Sequence, residues 1–313
     1  MIGPLAGLST QRRAMVALAV GISIFSLQDP ILKSFSGTYA LTEAIAFRGI
    51  FALPIFTLLV LKSGGLPNLW RKRPLALVGR GLLMIASYTT FYLSLADLSL
   101  ATTVSLWFTG PLFMVALSPL IAHERQGWRR WAAVLVGLGG VLVIAHPSND
   151  MSWAVVLPVA AAIFYALGQL SARRIGGGIP APVMAWHQNG VYVVASIAFA
   201  ALAAPLLRST GDEGPVAFLL RPWVVPTLRD ALLLGFCGVI AGIGSTLIVG
   251  AYRSAGPGTI GTLEYTAMLW AILWGWIIFG DLPTLATLAG AALIIASGVY
   301  AITRPAPEPH PRR

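Results

Sequence analysis

The sequence predicts an all-α, polytopic membrane protein with ten transmembrane helices, and two observations carry this prediction. Hydrophobic residues make up 57% of the chain and charged residues only 10%, whereas a soluble domain contains about 25% charged residues. Apolar stretches suited to spanning helices, which need about 20 residues, fill almost the whole chain and leave no room for a soluble catalytic domain. The ten stretches are residues 14–34, 41–61, 75–95, 98–121, 131–145, 153–172, 182–206, 231–253, 257–279 and 284–302.

Both ends of the chain and one long loop fall outside these stretches. Residues 1–13 are polar, and the long first stretch lacks an A-x-A cleavage signal, so we expect a retained span rather than a signal peptide. Residues 305–313 are rich in proline, which predicts a disordered tail. The external loop at 207–229 is the longest, and both a surface helix and a re-entrant helix are open there.

Basic residues are distributed unequally between alternate loops. If the N-terminus lies inside, the external side receives only Lys33, Arg208, Arg221 and Arg229. The positive-inside rule therefore predicts a multi-pass protein of the cell inner membrane with both termini cytoplasmic. The cytoplasmic side receives Arg12, Arg13, Lys62, Arg71, Lys72, Arg73, Arg80, Arg125, Arg129, Arg130, Arg173, Arg174, Arg253, Arg304, Arg312 and Arg313.

This orientation explains the net charge of +10, so the sequence does not favour a nucleic-acid partner. The single cysteine, Cys237, lies inside a predicted span and can form no internal disulfide. The four histidines are scattered along the chain without the spacing of metal ligands. We therefore predict neither a metal nor a cofactor.

The chain contains an internal repeat that divides it into residues 14–147 and 152–304. Each half holds five predicted spans, and because five is odd, the halves have opposite orientations in the bilayer. Inverted repeats are typical of secondary transporters, whose substrate site lies between the halves near the bilayer midplane. At an offset of about 157 residues, the matched pairs are Glu124 with Asp281, Gly140 with Gly298, and Pro147 with Pro305.

The duplicated order of polar opening, helix, acidic turn, helix and late glycine resembles the EamA domain of the drug/metabolite transporter superfamily. The first copy, SLATTVSLWFTGPLF…HERQGWRRWAAVLVGLGGVLV, is clearer than the second, GPGTIGTLEYTAMLW…GDLPTLATLAGAALIIASGV. The resemblance covers nearly the whole chain and implies a ten-helix bundle around a central cavity that opens to alternate sides. Pro111 of the first copy becomes Ala267 in the second, so we expect the halves to line the cavity unequally.

The resemblance implies transport of small metabolites, often amino acids, but leaves the substrate open. An aromatic amino-acid exporter of the YddG type is the first choice, with carriers of S-adenosylmethionine, riboflavin or other amino acids as alternatives. The sequence contains no P-loop, GxxxxGK[ST], for direct ATP coupling. It also lacks the clustered loop acids or histidines of a membrane enzyme and the repeated filter of a channel. We expect a non-enzymatic carrier, monomeric, whose partners are a small molecule and the lipid bilayer.

Two charged residues lie deep inside predicted spans. Asp29 lies about 22 Å above the inner end of the first span, and Arg48 about 12 Å below the outer end of the second. In a hydrocarbon core about 30 Å thick these depths nearly coincide, so we predict a buried Asp29–Arg48 ion pair. A purely structural pair and a pair that meets substrate beside Pro30 are both open. Glu43, near the outer face, is expected to lie at a solvated helix start.

The second half carries neutral polar residues at corresponding depths. Gln169 and His187 are 18 residues apart, and Asp29 and Arg48 are 19 apart. His187 and Glu264 are both expected about 10 Å above the inner face, where a contact between them would be sensitive to protons. Separate, satisfied residues in helix contacts are the favoured alternative.

Aromatic residues fall in the middle of several spans. Tyr88 and Tyr92 share a helix face because they are four residues apart, and Trp107 follows on the next span. An aromatic pocket with a few polar groups suits an amphiphilic or aromatic ligand, and packing within the bundle is the alternative for each ring. The predicted substrate-cavity residues are Tyr88, Tyr92, Trp107, Tyr165, His187, Glu264 and Tyr265.

A reporter that is active only in the cytoplasm should be active when it is fused after Arg313, because most basic residues outside the spans lie on the side of the termini. The matched fusion within residues 207–229 should give the external signal. An external signal from the C-terminal fusion would contradict the predicted orientation.

Overall fold

Regular structure in this chain is helical throughout the part that the computed structural model describes, which is residues 10–71, 73–121, 127–145, 152–175, 179–203, 213–254 and 264–303. This finding confirms the predicted all-α class. The helices are α1 Thr10–Ser26, α2 Gln28–Ser34, α3 Leu41–Lys62, α4 Asn68–Arg71, α5 Pro74–Ser94, α6 Leu100–Trp107, α7 Gly110–Ile121, α8 Trp128–Ala145, α9 Val156–Ile175, α10 Ala181–Ala203, α11 Gly214–Leu220, α12 Leu228–Ser254, α13 Ala267–Phe279 and α14 Leu285–Thr303.

Helices long and apolar enough to cross a membrane occur in both halves of the chain, which confirms a polytopic membrane protein. Two further apolar helices, α13 and α14, are shorter. Helix α10 has 23 residues, but its central His187, Gln188 and Asn189 lower its hydropathy. Together these helices account for the ten predicted stretches. The seven long apolar segments are Ala14–Ser34, Leu41–Lys62, Pro74–Ser94, Leu100–Ile121, Trp128–Ala145, Trp153–Ala172 and Leu228–Ile248.

The first and fourth spans are each broken into two helices, and a proline follows each break. Pro30 has no N–H to donate to the carbonyl of Ser26, and α1 ends there before α2 begins at Gln28. In the same way Pro111 cannot donate to the carbonyl of Trp107, where α6 ends. The first break brings Gln28 and Asp29 to the start of a new helix, deep within the bundle.

The ninth span is also interrupted, although Ala267 stands where the first repeat has Pro111. A turn at Tyr265–Thr266 separates helical Glu264 from α13. This turn corresponds in the repeat to the break of the fourth span, and the rings of Phe108 and Tyr265 meet there with centroids 4.9 Å apart. We expected the two halves to line the cavity unequally, but both halves are interrupted at this position.

Helix pairing follows a two-fold pattern. Helix α5 of the third span packs on α9 of the sixth, and α12 of the eighth span packs on α1 of the first. Likewise α3 of the second span packs on α12, and α10 of the seventh span packs on α5. Helix α3 also packs on α10, and α8 packs on α14. When each span is replaced by its counterpart five places along the chain, each of these pairs becomes another of them or is left unchanged. This pairing supports the predicted inverted repeat.

Helices α8 and α14 approach so closely that their backbones touch. A Cβ atom on Gly140 would lie 2.7 Å from the carbonyl oxygen of Gly290, and one on Gly290 would lie 2.5 Å from the oxygen of Gly140. Small residues permit such contacts in membranes, where helix association depends on close packing. Gly140 is therefore required where the last spans of the two halves meet.

The described part of the external loop, from residue 213, lies against the first half of the chain. It forms the short helix α11 and an extended segment, in which Trp223 Nε1 donates to Thr42 Oγ1 at 2.9 Å. The Val224 N–H donates to Glu43 Oε2 at 3.2 Å, and Glu43 is only 1% exposed. The expectation of a solvated Glu43 is wrong because this loop covers the start of α3.

Replacement of Gly140 by alanine should destabilise the fold by about 1–3 kcal/mol, because the added methyl group overpacks the contact with Gly290. The matched control is Gly139→Ala, since a Cβ atom at Gly139 meets nothing within 4 Å. Thermal unfolding of the detergent-solubilised protein measures both changes. Equal melting temperatures for the two variants would show that the close approach is absent.

Candidate substrate site

The predicted direct ion pair between Asp29 and Arg48 is not formed. Asp29 Oδ1 instead accepts a hydrogen bond from the Tyr92 hydroxyl at 2.5 Å, and Arg48 Nε donates to Gln28 Oε1 at 2.9 Å. Neither charged group forms a salt bridge with another described residue. Their depths match as predicted, but neighbouring residues on α2 point about 100° apart, so Arg48 reaches Gln28 rather than Asp29.

Two tyrosine rings separate these charges. The Arg48 guanidinium lies over the Tyr88 ring, 4.7 Å from its centroid, which is the geometry of a cation–π contact. The Tyr88 and Tyr92 rings have centroids 4.4 Å apart, and Tyr92 holds Asp29. The two opposite charges thus occupy the ends of a tyrosine pair, where each retains its own neutral partners.

A second polar chain runs from this tyrosine pair toward the predicted cytoplasmic face. The rings of Tyr88 and Tyr192 lie 5.3 Å apart. Gln188 Nε2 donates to the Tyr192 hydroxyl at 3.1 Å, and that hydroxyl donates to the carbonyl of Met84 at 3.1 Å. Arg80 Nη1 then donates to Gln188 Oε1 at 2.7 Å. The chain therefore connects α5 and α10.

The aromatic rings form a continuous cluster across the two halves. Phe91 lies 5.1 Å from Tyr92 and 6.1 Å from Trp107, measured between ring centroids. Trp107 lies 5.1 Å from Tyr165 and 5.7 Å from Phe108. Phe108 in turn contacts Tyr265. We call Tyr88, Tyr92, Phe91, Trp107, Phe108, Tyr165 and Tyr265 the aromatic cluster.

The cluster contains rings with surface that neighbouring side chains leave uncovered. Tyr88, Trp107 and Tyr165 are partly exposed, as is Asp29 beside them, whereas Tyr92 is buried. Trp107 ends α6 and Asp29 lies in the first turn of α2, so both lie at the breaks of their spans rather than at the span ends. Such a surface can hold a flat apolar group next to a carboxylate and offers no arrangement for covalent catalysis.

His187 lies apart from the aromatic cluster. Its Nδ1 lies 2.9 Å from the carbonyl oxygen of Val183, and its ring contacts Trp186 and the surface residue Trp70 at centroid distances of 5.4 and 6.4 Å. The predicted contact of His187 with Glu264 stays a prediction. Glu264 itself lies within electrostatic reach of Tyr165 and Tyr265.

Arg80 was counted among the cytoplasmic basic residues, although the predicted span 75–95 contains it, and it was not singled out as a site residue. The structure buries it within α5, six residues after the helix begins at Pro74. The position of a charged residue inside a predicted span could have identified it. The cytoplasmic side loses one basic residue by this correction, and the asymmetry that predicts the orientation persists.

At the predicted external face, a salt bridge joins the two halves. Lys33 Nζ lies 3.1 Å from Asp281 Oδ2 and donates to the carbonyl of Leu98 at 3.0 Å. It also lies 4.8 Å from the centroid of the Phe279 ring. The salt bridge holds α2 against the turn between α13 and α14. No cluster of potential metal ligands occurs among the described residues.

Relatives named as transporters match most of the chain. The pseudopaline exporter of Pseudomonas aeruginosa strain PAO1 is 26% identical over 286 residues, which cover 90% of this chain and 93% of that protein. The S-adenosylmethionine uptake transporter of Rickettsia bellii is 25% identical over 298 residues, which cover 92% and 95%. A solved crystal structure shares the fold, with a TM-score of 0.60 at 20% identity, over 93% of this chain and 97% of that one.

The family match falls on the first repeat. Residues 12–146 match the EamA-like transporter family, and this range holds the clearer copy of the duplicated pattern. It includes the broken first and fourth spans and most of the aromatic cluster. Relatives named as transporters cover 90% and 92% of the chain, so the chain is similar to transporters along most of its length and to the EamA-like transporter family over its first repeat.

Proposed function

We propose that this transporter exports aromatic and other large apolar amino acids by alternating access, without ATP. The observation that carries the proposal is the aromatic cluster, whose rings come from both halves and meet at Phe108 and Tyr265. Substrate held between the halves is exposed to alternate sides when they rock against each other. The predicted repeats at 14–147 and 152–304 supply those halves.

Aromatic walls favour a flat apolar ligand. Burial of its surface supplies affinity at roughly 25 cal/mol per Å², and each ring–ring contact adds about 0.5–1.5 kcal/mol. Neither contribution depends on one strict ligand shape. We therefore expect broad selectivity among large apolar side chains rather than a single substrate.

Asp29 offers a partner for the ammonium group of an amino acid. Its carboxylate is partly exposed within the bundle and accepts one hydrogen bond from Tyr92, without a salt bridge to another described residue. An ionised group inside the hydrocarbon marks a transport pathway by default. The polar end of the ligand is thus assigned to Asp29 rather than to Glu264 or His187, the two polar residues among the predicted cavity residues.

The relatives suggest a second candidate function, the transport of larger polar metabolites. One relative is named for pseudopaline export and another for S-adenosylmethionine uptake, so substrate and direction vary at similar identity. The aromatic cluster would also accept the flat ring of a nucleoside-type molecule. Amino-acid export is favoured here because one carboxylate lies close to a compact set of rings.

Competition in proteoliposomes tests the proposal. Vesicles that hold purified protein and labelled phenylalanine should release it without ATP, and unlabelled phenylalanine and tryptophan should compete about tenfold or more better than threonine or glutamate. Protein-free liposomes and S-adenosylmethionine as a competitor are the controls. Equal competition by glutamate, or release only with nucleotide, would refute the proposal.

Replacement of Tyr92 by phenylalanine should lower the free energy of unfolding by about 1.5–3 kcal/mol, because it removes a hydrogen bond to the charged Asp29 carboxylate. The matched control is Tyr88→Phe, since the buried Tyr88 hydroxyl has no hydrogen-bond partner among the described residues. The combined change with Asp29→Asn should cost less than the sum of the single changes. Additive losses would show that Tyr92 and Asp29 do not interact.

A further inference from the structure

Arg80 is a buried cation that the aromatic cluster does not use. It lies about 9 Å along α5 from the helix start and is only 9% exposed. Its neighbours on α10 and α9 are Gln188, Tyr192 and Tyr165, and the last of these belongs to the aromatic cluster. Arg80 therefore lies on the predicted cytoplasmic side of that cluster.

The hydrogen-bonding capacity of Arg80 is largely unused. A guanidinium has five N–H donors, and here Nη1 donates to Gln188 Oε1 at 2.7 Å. The buried Nε has no partner among the described residues, and none of their carboxylates forms a salt bridge with Arg80. A buried charge without a counter-ion is strongly disfavoured, and an anionic ligand would supply the missing partner.

Arg48 provides an internal comparison. Its Nε donates to Gln28, and its guanidinium face lies against Tyr88. The same atom of Arg80 is left without a partner, so the two buried arginines differ at the edge that binds carboxylates. Arginine pairs with a carboxylate through two parallel N–H donors, and an unoccupied Nε is one such donor.

The surroundings of Arg80 leave access for a ligand. Gln188 and Tyr165 are partly exposed, and Tyr165 contacts Trp107 at a centroid distance of 5.1 Å. A carboxylate held at Arg80 would thus place an attached apolar group on the aromatic cluster.

We propose that Arg80, with Gln188 orienting it, binds the carboxylate of the ligand on the cytoplasmic side of the cluster. This contact belongs to a different stage of transport from the contact with Asp29, because Arg80 lies about 18 Å along α5 from Tyr92, the partner of Asp29. The identity of that ligand as an amino acid rests on the proposed function, whereas the binding of a carboxylate at Arg80 does not.

Binding of 3-phenylpropionate to the purified full chain tests this assignment, with the uncharged 3-phenylpropionamide as its matched ligand. Calorimetric titration of the wild type should give a Kd for the carboxylate about tenfold or more below that for the amide. Arg80→Gln should remove this preference, and Arg80→Lys should keep part of it, because lysine retains the charge without the planar fork. The control variant is Arg174→Gln, which changes an exposed arginine near the end of α9 and should preserve the wild-type preference.

The proposal is overturned if the wild type binds both ligands equally or neither, or if Arg80→Gln keeps the full preference. Size-exclusion profiles show whether each variant folds. If Arg80→Gln does not fold, Arg80→Lys and Gln188→Leu decide the question, since an unchanged preference in both would exclude the site. Amino-acid transport is measured separately. An Arg80-dependent preference without phenylalanine transport would refute amino-acid export and leave the carboxylate site standing.

Discussion

The bilayer core holds no water, and this constraint shapes every polar feature of the chain. Each buried N–H, carbonyl and charged group must find its partner inside the protein. The helices satisfy their own backbone groups, and the breaks at Leu27 and Phe108 are enclosed within the bundle. Lipid-facing surfaces carry apolar side chains, so charges retained in the interior stand out as places where a ligand is handled.

The interior charges are kept apart rather than neutralised against each other. Asp29 and Arg48 would cancel if they touched, and the pair would then be unavailable to a ligand. Tyr88 and Tyr92 stand between them, and each charge is held by a neutral group instead. Charges of both signs thus remain uncancelled beside one aromatic surface.

The sequence was sufficient to predict the spans and most of the aromatic cluster, but not the contacts between charged residues. Hydropathy and the repeat define which helices exist, and depth along a span can be counted from its ends. Rotation about each helix axis is set by packing, which a single sequence does not encode locally. For this reason the pairing of Asp29 with Arg48 was wrong, and the role of Arg80 was overlooked although the predicted span 75–95 contains it.

The Lys33–Asp281 salt bridge has a consequence for the speed of the carrier. Asp281 is 39% exposed at the side chain, and bridges so close to solvent contribute about 0–1 kcal/mol. A salt bridge of that strength breaks and re-forms through ordinary thermal fluctuation. A deeply buried bridge in the same place would hold the halves together for long intervals and make each cycle slow. Under the proposed alternating access, the weakness of this contact means that breaking it adds little to the barrier between the two states.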